Sequence, residues 1–214
     1  MKKTKNFEYY IPEINGLSRM RKNDIERYAE CAALAYRDYP LFHYLTEGRC
    51  EHEVIKTIIS SSIYAMNKDV VGISTDEEAN AIALFAPPQY TGSKTVPFLL
   101  NGGLKLSFIA PISTFFRLLN YENHAMKLKK QYTNHDCWYL YNLTVKPAYQ
   151  NNGAGSKLLR PMLEYFDRIK EGCYLETHDE KNVGLYQHFG FDLVDVSEIP
   201  RTDVKQYSML RKPR

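Results

Sequence analysis

Apolar and polar positions along the chain repeat with two periods, and these divide it into helical and extended stretches. Ile25, Tyr28, Ala29, Ala32, Ala35 and Tyr36 fall at offsets 0, 3, 4, 7, 10 and 11, one face of an amphipathic helix that Asn23 can cap. Beyond the turn-rich Asp38-Tyr39-Pro40, the residues Ile55, Ile58, Ile59, Ile63 and Met66 mark a second helix by the same spacing. Residues 70–75 and 81–86 are short apolar runs joined by Asp76-Glu77-Glu78 and closed by Pro87-Pro88, which predicts a hairpin.

Residues 89–136 are too many for a bare connection, since structureless loops beyond about 15 residues are uncommon in compact domains. Two helices are expected there. One has Pro111 in its first turn and Ile112, Phe115, Phe116 and Leu119 on its inner face; a more polar one covers residues 122–132. Residues 138–145 form a continuous aromatic and β-branched run ended by Pro147, as in a strand buried on both faces. A helix over Ala154–Ile169 turns Leu158, Leu159, Met162, Leu163 and Phe166 inward, and Glu171-Gly172 stops it before a strand at 173–178. Such a crossover makes the two strands parallel. A short helix over 181–189 ends on Gly190, and strands near 191–196 and 206–210 follow. With no internal repeat or linker, residues 1–214 read as a single domain of the α/β (α+β) class, with 89–136 as a helical insertion within it.

Composition narrows the function without naming it. The chain has 214 residues, 44% hydrophobic and 25% charged, with a formal net charge of +3, which excludes disordered and fibrous classes. Cys31, Cys50, Cys137 and Cys173 form no CxxC and no zinc-ligand spacing, so they read as free thiols of a cytoplasmic protein with no metal. The N-terminal MKKTKNFEYYIPEI is basic but lacks the apolar core of a signal peptide. The apolar stretch 96–119 is broken by Pro97, Asn101, Gly102, Gly103, Lys105, Pro111 and Arg117, short of the ~20 apolar residues of a spanning helix, so no membrane segment is expected. Cations cluster only at the ends (Lys2, Lys3, Lys5; Arg211, Lys212, Arg214), without the basic stripe of a nucleic-acid binder. The 17 tyrosines and 10 phenylalanines against a single tryptophan suggest many rings lining a core edge or a cleft.

The chemistry concentrates between the buried strand and the crossover helix, in Gln150-Asn151-Asn152-Gly153-Ala154-Gly155-Ser156. Two glycines free the backbone there, and the unpaired N–H groups of a helix start face outward with the positive dipole end behind them, a geometry that can hold phosphate. Ser156-Lys157 reverses the order of a P-loop, and Leu158 stands where a dinucleotide fingerprint needs its third glycine. On geometry alone the loop fits a plain strand-to-helix turn equally well.

A strand, Q-x-x-G-x-G and an apolar helix, followed by a strand and then Asn182-x-x-x-Tyr186-x-x-x-Gly190-Phe191, resembles the GNAT superfamily of acyl-CoA-dependent N-acetyltransferases. The likeness is specific over residues 138–191. Within it, LTVKPAYQNNGAGSKLLRPML and YLETHDEKNVGLYQHFGF look like the puromycin N-acetyltransferase-like branch, down to Pro161 inside the helix, where propensity alone argues against proline. The resemblance implies a GNAT fold: a mixed sheet of six or seven strands with a central parallel pair and helices on both faces. It implies acetyl-CoA as cosubstrate, its pyrophosphate on the amides of Gln150, Asn151, Asn152, Gly153, Ala154, Gly155 and Ser156, and its pantetheine along the backbone of Leu143, Thr144 and Val145, with Asn182 also in contact. A backbone N–H of Leu143 or Val145 would then face the thioester carbonyl.

An alkylamine of pKa near ~10 must lose a proton before it attacks, and the departing thiolate gains one. By family position Tyr186 is the candidate acid. Glu176 is the candidate base: alternation puts Tyr174, Glu176 and His178 on one face of their strand, opposite Cys173, Leu175 and Thr177. His178 is the alternative base, and a purely structural role stays open for each. The expected reaction is direct acetyl transfer, in a ternary complex, to a primary amine of a small molecule held by aromatics between Tyr36 and Tyr44 and by the insertion. A protein N-terminal or lysine acetyltransferase and a non-catalytic acyl-CoA sensor are the alternatives, and the apolar insertion fits a lid or a homodimer contact.

Overall fold

The structure, a computed structural model, describes residues 17–66, 70–92, 95–133 and 137–214. The basic N-terminal segment 1–14 and its lysines, and the far end of the expected insertion at His135 and Asp136, lie outside the described residues.

The axis of the fold is β4 (Cys137–Val145), which is apolar on both faces. Trp138, Leu140, Leu143 and Val145 pack toward one layer, Cys137 and Tyr139 toward the other. An offset of three between Leu140 and Leu143 breaks the period of two. Its cause is a bulge: β3 (Ala81–Ala86) pairs Leu84 with Asn142 but Phe85 with Leu140, leaving Tyr141 as the extra residue. Around this pair lie β1 (Ser18–Arg19), β2 (Val71–Ser74), β5 (Gly172–Thr177), β6 (Asp192–Glu198) and β7 (Lys205–Arg211), in the order β1-β2-β3-β4-β5-β7-β6. Only β4 and β5 run parallel; the other neighbours are antiparallel. The expected mixed sheet of six or seven strands is therefore present, with seven among the described residues, β1 being an edge strand that the sequence pattern missed.

Helix α7 (Ala154–Ile169) covers one face with Leu158, Leu159, Met162, Leu163 and Phe166 inward, and it runs unbroken through Pro161. The other face carries α1 (Ile25–Ala35), α2 (Pro40–Leu45), α3 (His52–Met66) and α6 (Ile112–Tyr132). The short α4 (Thr95–Leu100) and α5 (Leu106–Ile109) lie between β3 and α6, and α8 (Lys181–His188) follows β5. Buried Arg211 locks the α7 side: its guanidinium donates to both Asp167 oxygens at 2.8 and 2.6 Å and to the Phe189 carbonyl at 3.1 Å.

Three helical expectations need correction. Asn23 lies inside a 3-10 turn, Lys22–Asp24, and makes no cap; Asp24 closes that turn by accepting from the Arg21 N–H at 2.8 Å. The stretch after Tyr39 is the helix α2, with Pro40 at its first turn, where the lost N–H costs nothing. The two helices expected after Pro111 are one helix, and Pro111 caps it from outside the first turn. Its buried stripe runs through Thr114, Leu118, Ala125 and Leu128, a continuous period that a threonine at its start disguises. Ile112 and Phe116, expected inside, are 65% and 62% exposed, and with Val96, Leu100, Leu104 and Phe108 they leave the outer side of the insertion apolar.

Candidate active site

The parallel strands β4 and β5 stay together only from Cys137↔Gly172 to Tyr139↔Tyr174. Beyond that point Leu140–Val145 pairs with β3 alone, so its other backbone edge opens into a wedge against Leu175, Glu176 and Thr177. The bulge at Tyr141 bends β4 away where the wedge begins. Leu143, Thr144 and Val145 line that open edge. Thr144 turns its hydroxyl to Asn142 Oδ1 at 3.1 Å, away from the α7 side where Leu143 and Val145 pack.

At the far end of β4 the chain turns through Pro147–Tyr149 into the glycine loop. Gln150 fixes the turn by donating its side-chain amide to the Val145 carbonyl at 3.0 Å. Asn151 and Gly153 both take left-handed backbone angles (φ 62° and 73°), and Gly153 is the N-cap of α7 without any side-chain capping bond. The N–H groups of Ala154, Gly155 and Ser156 are thus uncapped, with no acidic residue in the first turn. A Cβ on Gly155 would meet only Leu143 Cδ2, at 4.0 Å, so glycine keeps clear the space between this helix start and β4. An uncapped set of donors, a cleared approach and an open strand edge in line with them fit a pyrophosphate joined to an extended amide-bearing arm, as in coenzyme A.

The third wall is β5. The alternation holds for Tyr174 and Glu176 against Cys173 and Leu175. Glu176 Oε1 accepts hydrogen bonds from the hydroxyls of Tyr139 and, at 3.2 Å, Tyr121, while Oε2 is out of solvent with no partner among the described residues. Burial raises the carboxyl to about 7, against the lowering effect of the two tyrosine bonds. His178, one face-step further, is 6% exposed, and burial lowers it to about 3. It is neutral at physiological pH and lies between the edges of Tyr39 and Tyr121, with ring centroids 6.0 and 5.3 Å away.

Tyr186 approaches the wedge from the α7 side, packing on Phe191 at 5.9 Å. Burial pushes its phenol well above the ordinary range, with further contributions from Tyr39, Cys173 and Glu176. Tyr36 packs on Tyr39 with ring centroids 5.1 Å apart, and both phenols lie near enough to Tyr186 to act on it or be acted on by it electrostatically. Asn182 donates to Thr177 Oγ1 at 3.1 Å, and Tyr39, bonded to that oxygen at 3.0 Å, also accepts from the His178 N–H at 2.7 Å. Asn182 therefore braces the β5–α8 turn.

Outside the wedge a cavity of about 740 Å³ opens between α2, α6 and the β6–β7 turn, lined by Pro40, Tyr44, Arg117, Arg201 and Val204 among others. Asn120 spans it, donating to Tyr44 Oη at 3.1 Å and to the Pro200 carbonyl at 2.9 Å. The insertion thus lines this cavity through Arg117 and reaches Glu176 through Tyr121. Tyr121 and Tyr139 had escaped the sequence reading. Tyr139 was within reach, because the parallel register places Glu176 two residues beyond its partner Tyr174; Tyr121 had no such signal.

Residues 120–191, from the middle of α6 through α8, match the model of the acetyltransferase (GNAT) family. Among solved structures, arylalkylamine N-acetyltransferase 2 from Aedes aegypti superposes over 94% of this chain and 100% of its own, with a TM-score of 0.60 and 15% identity. A histone acetyltransferase HPA2 and related acetyltransferase from Corynebacterium glutamicum covers 92% and 96%, with a TM-score of 0.59 and 16% identity. The ribosomal-protein-S18-alanine N-acetyltransferase from Escherichia coli covers 92% of each chain, with a TM-score of 0.50 and 14% identity. At such identities the shared feature is the fold, which is the GNAT fold. Fold and matched segment together support an acetyltransferase enzyme that uses acetyl-CoA and acts on an amine. Among the described residues no helix is long and apolar enough to cross a membrane.

Proposed function

We propose that the whole chain is one acyltransferase domain that carries acetyl from acetyl-CoA to the primary amine of a small molecule, by direct attack with both substrates bound. The observation that carries this reading is the placement of two proton-handling groups on opposite sides of one wedge: Glu176 with a free, buried oxygen, and Tyr186 held protonated by burial. Acetyl-CoA, when bound, supplies the acyl group as an activated thioester. Amides of Gln150 through Ser156 hold its pyrophosphate and the open edge of Leu143, Thr144 and Val145 aligns its arm, with Asn182 holding the adjoining turn. The Leu143 or Val145 N–H stabilises charge on the carbonyl oxygen, an effect typically of order 10² to 10³ in rate.

Glu176 takes a proton from the bound ammonium, directly or through water, and so frees the nitrogen lone pair that forms the N–C bond; the second N–H proton leaves to water as the tetrahedral intermediate collapses. Tyr186 gives its proton to the sulfur as the C–S bond breaks. A carboxyl poised near 7 is suited to the first task, and a phenol kept neutral to the second. The acceptor in this reading is a small amine; Asn120 ties α2 to the β6–β7 turn on the side of the sheet that α6 covers. The motif residues favour the puromycin N-acetyltransferase-like branch, and the buried Cys31, Cys137 and Cys173 suit a reducing cytoplasm.

The test is release of CoA from acetyl-CoA with a panel of amines. Wild type should turn over; Tyr186→Phe should lose at least about tenfold in kcat with little change in acetyl-CoA affinity. Glu176→Gln should lose more at low pH than at high pH, where free amine is abundant. Failure of acetyl-CoA to protect the protein against heating would overturn the cofactor assignment, and binding without turnover on any amine would favour a sensor.

A further inference from the structure

The short helices between β3 and α6 are apolar on two sides. Their inner side is ordinary: Phe98 of α4 and Leu106 of α5 are each 4% exposed and join the cluster that holds α3 and α1 together. Their outer side is not. Val96 and Leu100 of α4, Leu104 of the 3-10 turn Gly103–Lys105, Phe108 of α5, and Ile112 and Phe116 of α6 stand 56–88% exposed. They recur at every fourth position. The 3-10 turn packs on both α4 and α5, and α5 packs on α6, so these side chains form one continuous face. A helix that is apolar all round is ordinarily buried all round.

The size of this face measures what is missing from it. Large apolar side chains offer roughly 150–250 Å² apiece when fully exposed, so at these exposures the six leave roughly 800 Å² of apolar surface in water. The largest patch on a typical monomer is about 300–600 Å², whereas each partner in a standard interface buries about 800 Å².

Polar groups set within the face are satisfied from their own chain. Asn101 donates its side-chain amide to the Pro97 carbonyl at 2.7 Å, Ser107 its hydroxyl to the Leu104 carbonyl at 2.8 Å, and Ser113 its hydroxyl to Glu47 at 2.7 Å. Covering these donors costs less than covering free ones, because their bonds are already made. Charges at the rim are balanced too: Lys105 pairs with Glu53 and Arg117 with Glu47, each at 3.2 Å. Balanced pairs set up no like-charge repulsion between identical faces. They also give no surplus of cations to draw the face to anionic headgroups, and none of the six residues is the Trp or Tyr of a membrane boundary.

We propose that a second copy of this chain covers this face, with α4, α5 and the start of α6 packed against the same elements of the other protomer about a two-fold axis. Such a contact uses one patch twice, so an apolar face with a neutral rim is complementary to itself. Self-association here does not depend on whether the chain transfers acetyl.

Sedimentation equilibrium of the full chain between about 1 and 100 μM reads the assembly directly. Wild type should reach twice the 24.9 kDa of one chain, with a Kd of about 10 μM or tighter. Phe108→Glu and, separately, Leu100→Glu each place two unpaired carboxylates in the contact and should weaken the dimer at least about thirtyfold, with the circular dichroism spectrum unchanged. If one of the two misfolds, the other decides. Leu193→Glu, at a 39%-exposed position of β6 outside the face, should leave the dimer constant within about threefold. A wild type that stays monomeric at about 100 μM overturns the proposal, as does a dimer that survives both substitutions or growth beyond the dimer with concentration. Flotation of a monomeric wild type with phosphatidylcholine vesicles would overturn it as well and give the face to a lipid surface.

Discussion

At the scale of single residues, the site depends on how Glu176 is held. Desolvation lifts its carboxyl, and the hydroxyls of Tyr139 and Tyr121 pull it back by bonding the ionised form. Tyr139 touches no reacting atom in this arrangement and acts as a positioning residue. Tyr139→Phe removes a bond that favours the carboxylate, so the folded protein needs a higher pH to ionise Glu176. The ascending limb of kcat/KM against pH should move up from near 7 by about one unit, equivalent to about 1.4 kcal/mol. A profile that only drops in height, with its limb in place, would make Tyr139 a packing residue. The carboxylate and the acid were legible in the sequence because strand alternation and the Asn182-to-Tyr186 spacing are local. Tyr121 was not, since its meeting with Glu176 across 55 positions depends on how α6 lies over the sheet.

At the scale of elements, β4, the glycine loop, α7 and β5 read almost directly from the chain, because each is bounded by its own punctuation: Pro147, Gly153, Gly172. The insertion read poorly for the opposite reason. Several of its most apolar residues point outward and its buried stripe passes through Thr114 and Ala125, so hydrophobic period placed Phe115 against the core but turned Ile112 and Phe116 the wrong way. The two glycines of the loop should separate stability from binding. Gly153 sits at φ 73°, so Gly153→Ala should destabilise by about 1 kcal/mol in chemical denaturation. Gly155 has ordinary backbone angles and room for a Cβ, so Gly155→Val should keep the melting temperature within about 3 °C. The isopropyl group would instead occupy the approach between the helix start and β4, and affinity for CoA should weaken at least tenfold. Undiminished affinity would remove the loop from the cofactor site.

For the whole molecule, the buried pair on β5 predicts an unusual dependence of stability on pH. Glu176 is raised on folding from 4.5 to about 7, so the folded state holds a proton that the unfolded chain releases. Its contribution is complete below about pH 4.5 and is lost as pH rises to 7. His178 is lowered from 6.5 to about 3, so the unfolded chain binds a proton that the folded state refuses; its contribution is complete above 6.5 and is lost on acidification. Between pH 4.5 and 6.5 the two run in opposite directions at one proton each, or about 1.4 kcal/mol per pH unit, and cancel. Below that window the cancellation ends. His178 is joined there by Asp167, which Arg211 holds below the usual carboxylate range, and by Glu30, where the raising effect of burial is outweighed by bonds to Lys56 and His52 that lower it. Urea unfolding of Glu176→Gln should therefore gain stability relative to wild type as pH climbs from 4.5 to 6.5, at close to one proton's slope, while His178→Gln should lose it at a similar slope. If either difference stays constant across the window, the residue concerned does not titrate apart from its unfolded value. For Glu176 that result would also remove the base from the mechanism, because a carboxylate ionised at its ordinary pH has little affinity for the proton of an alkylammonium.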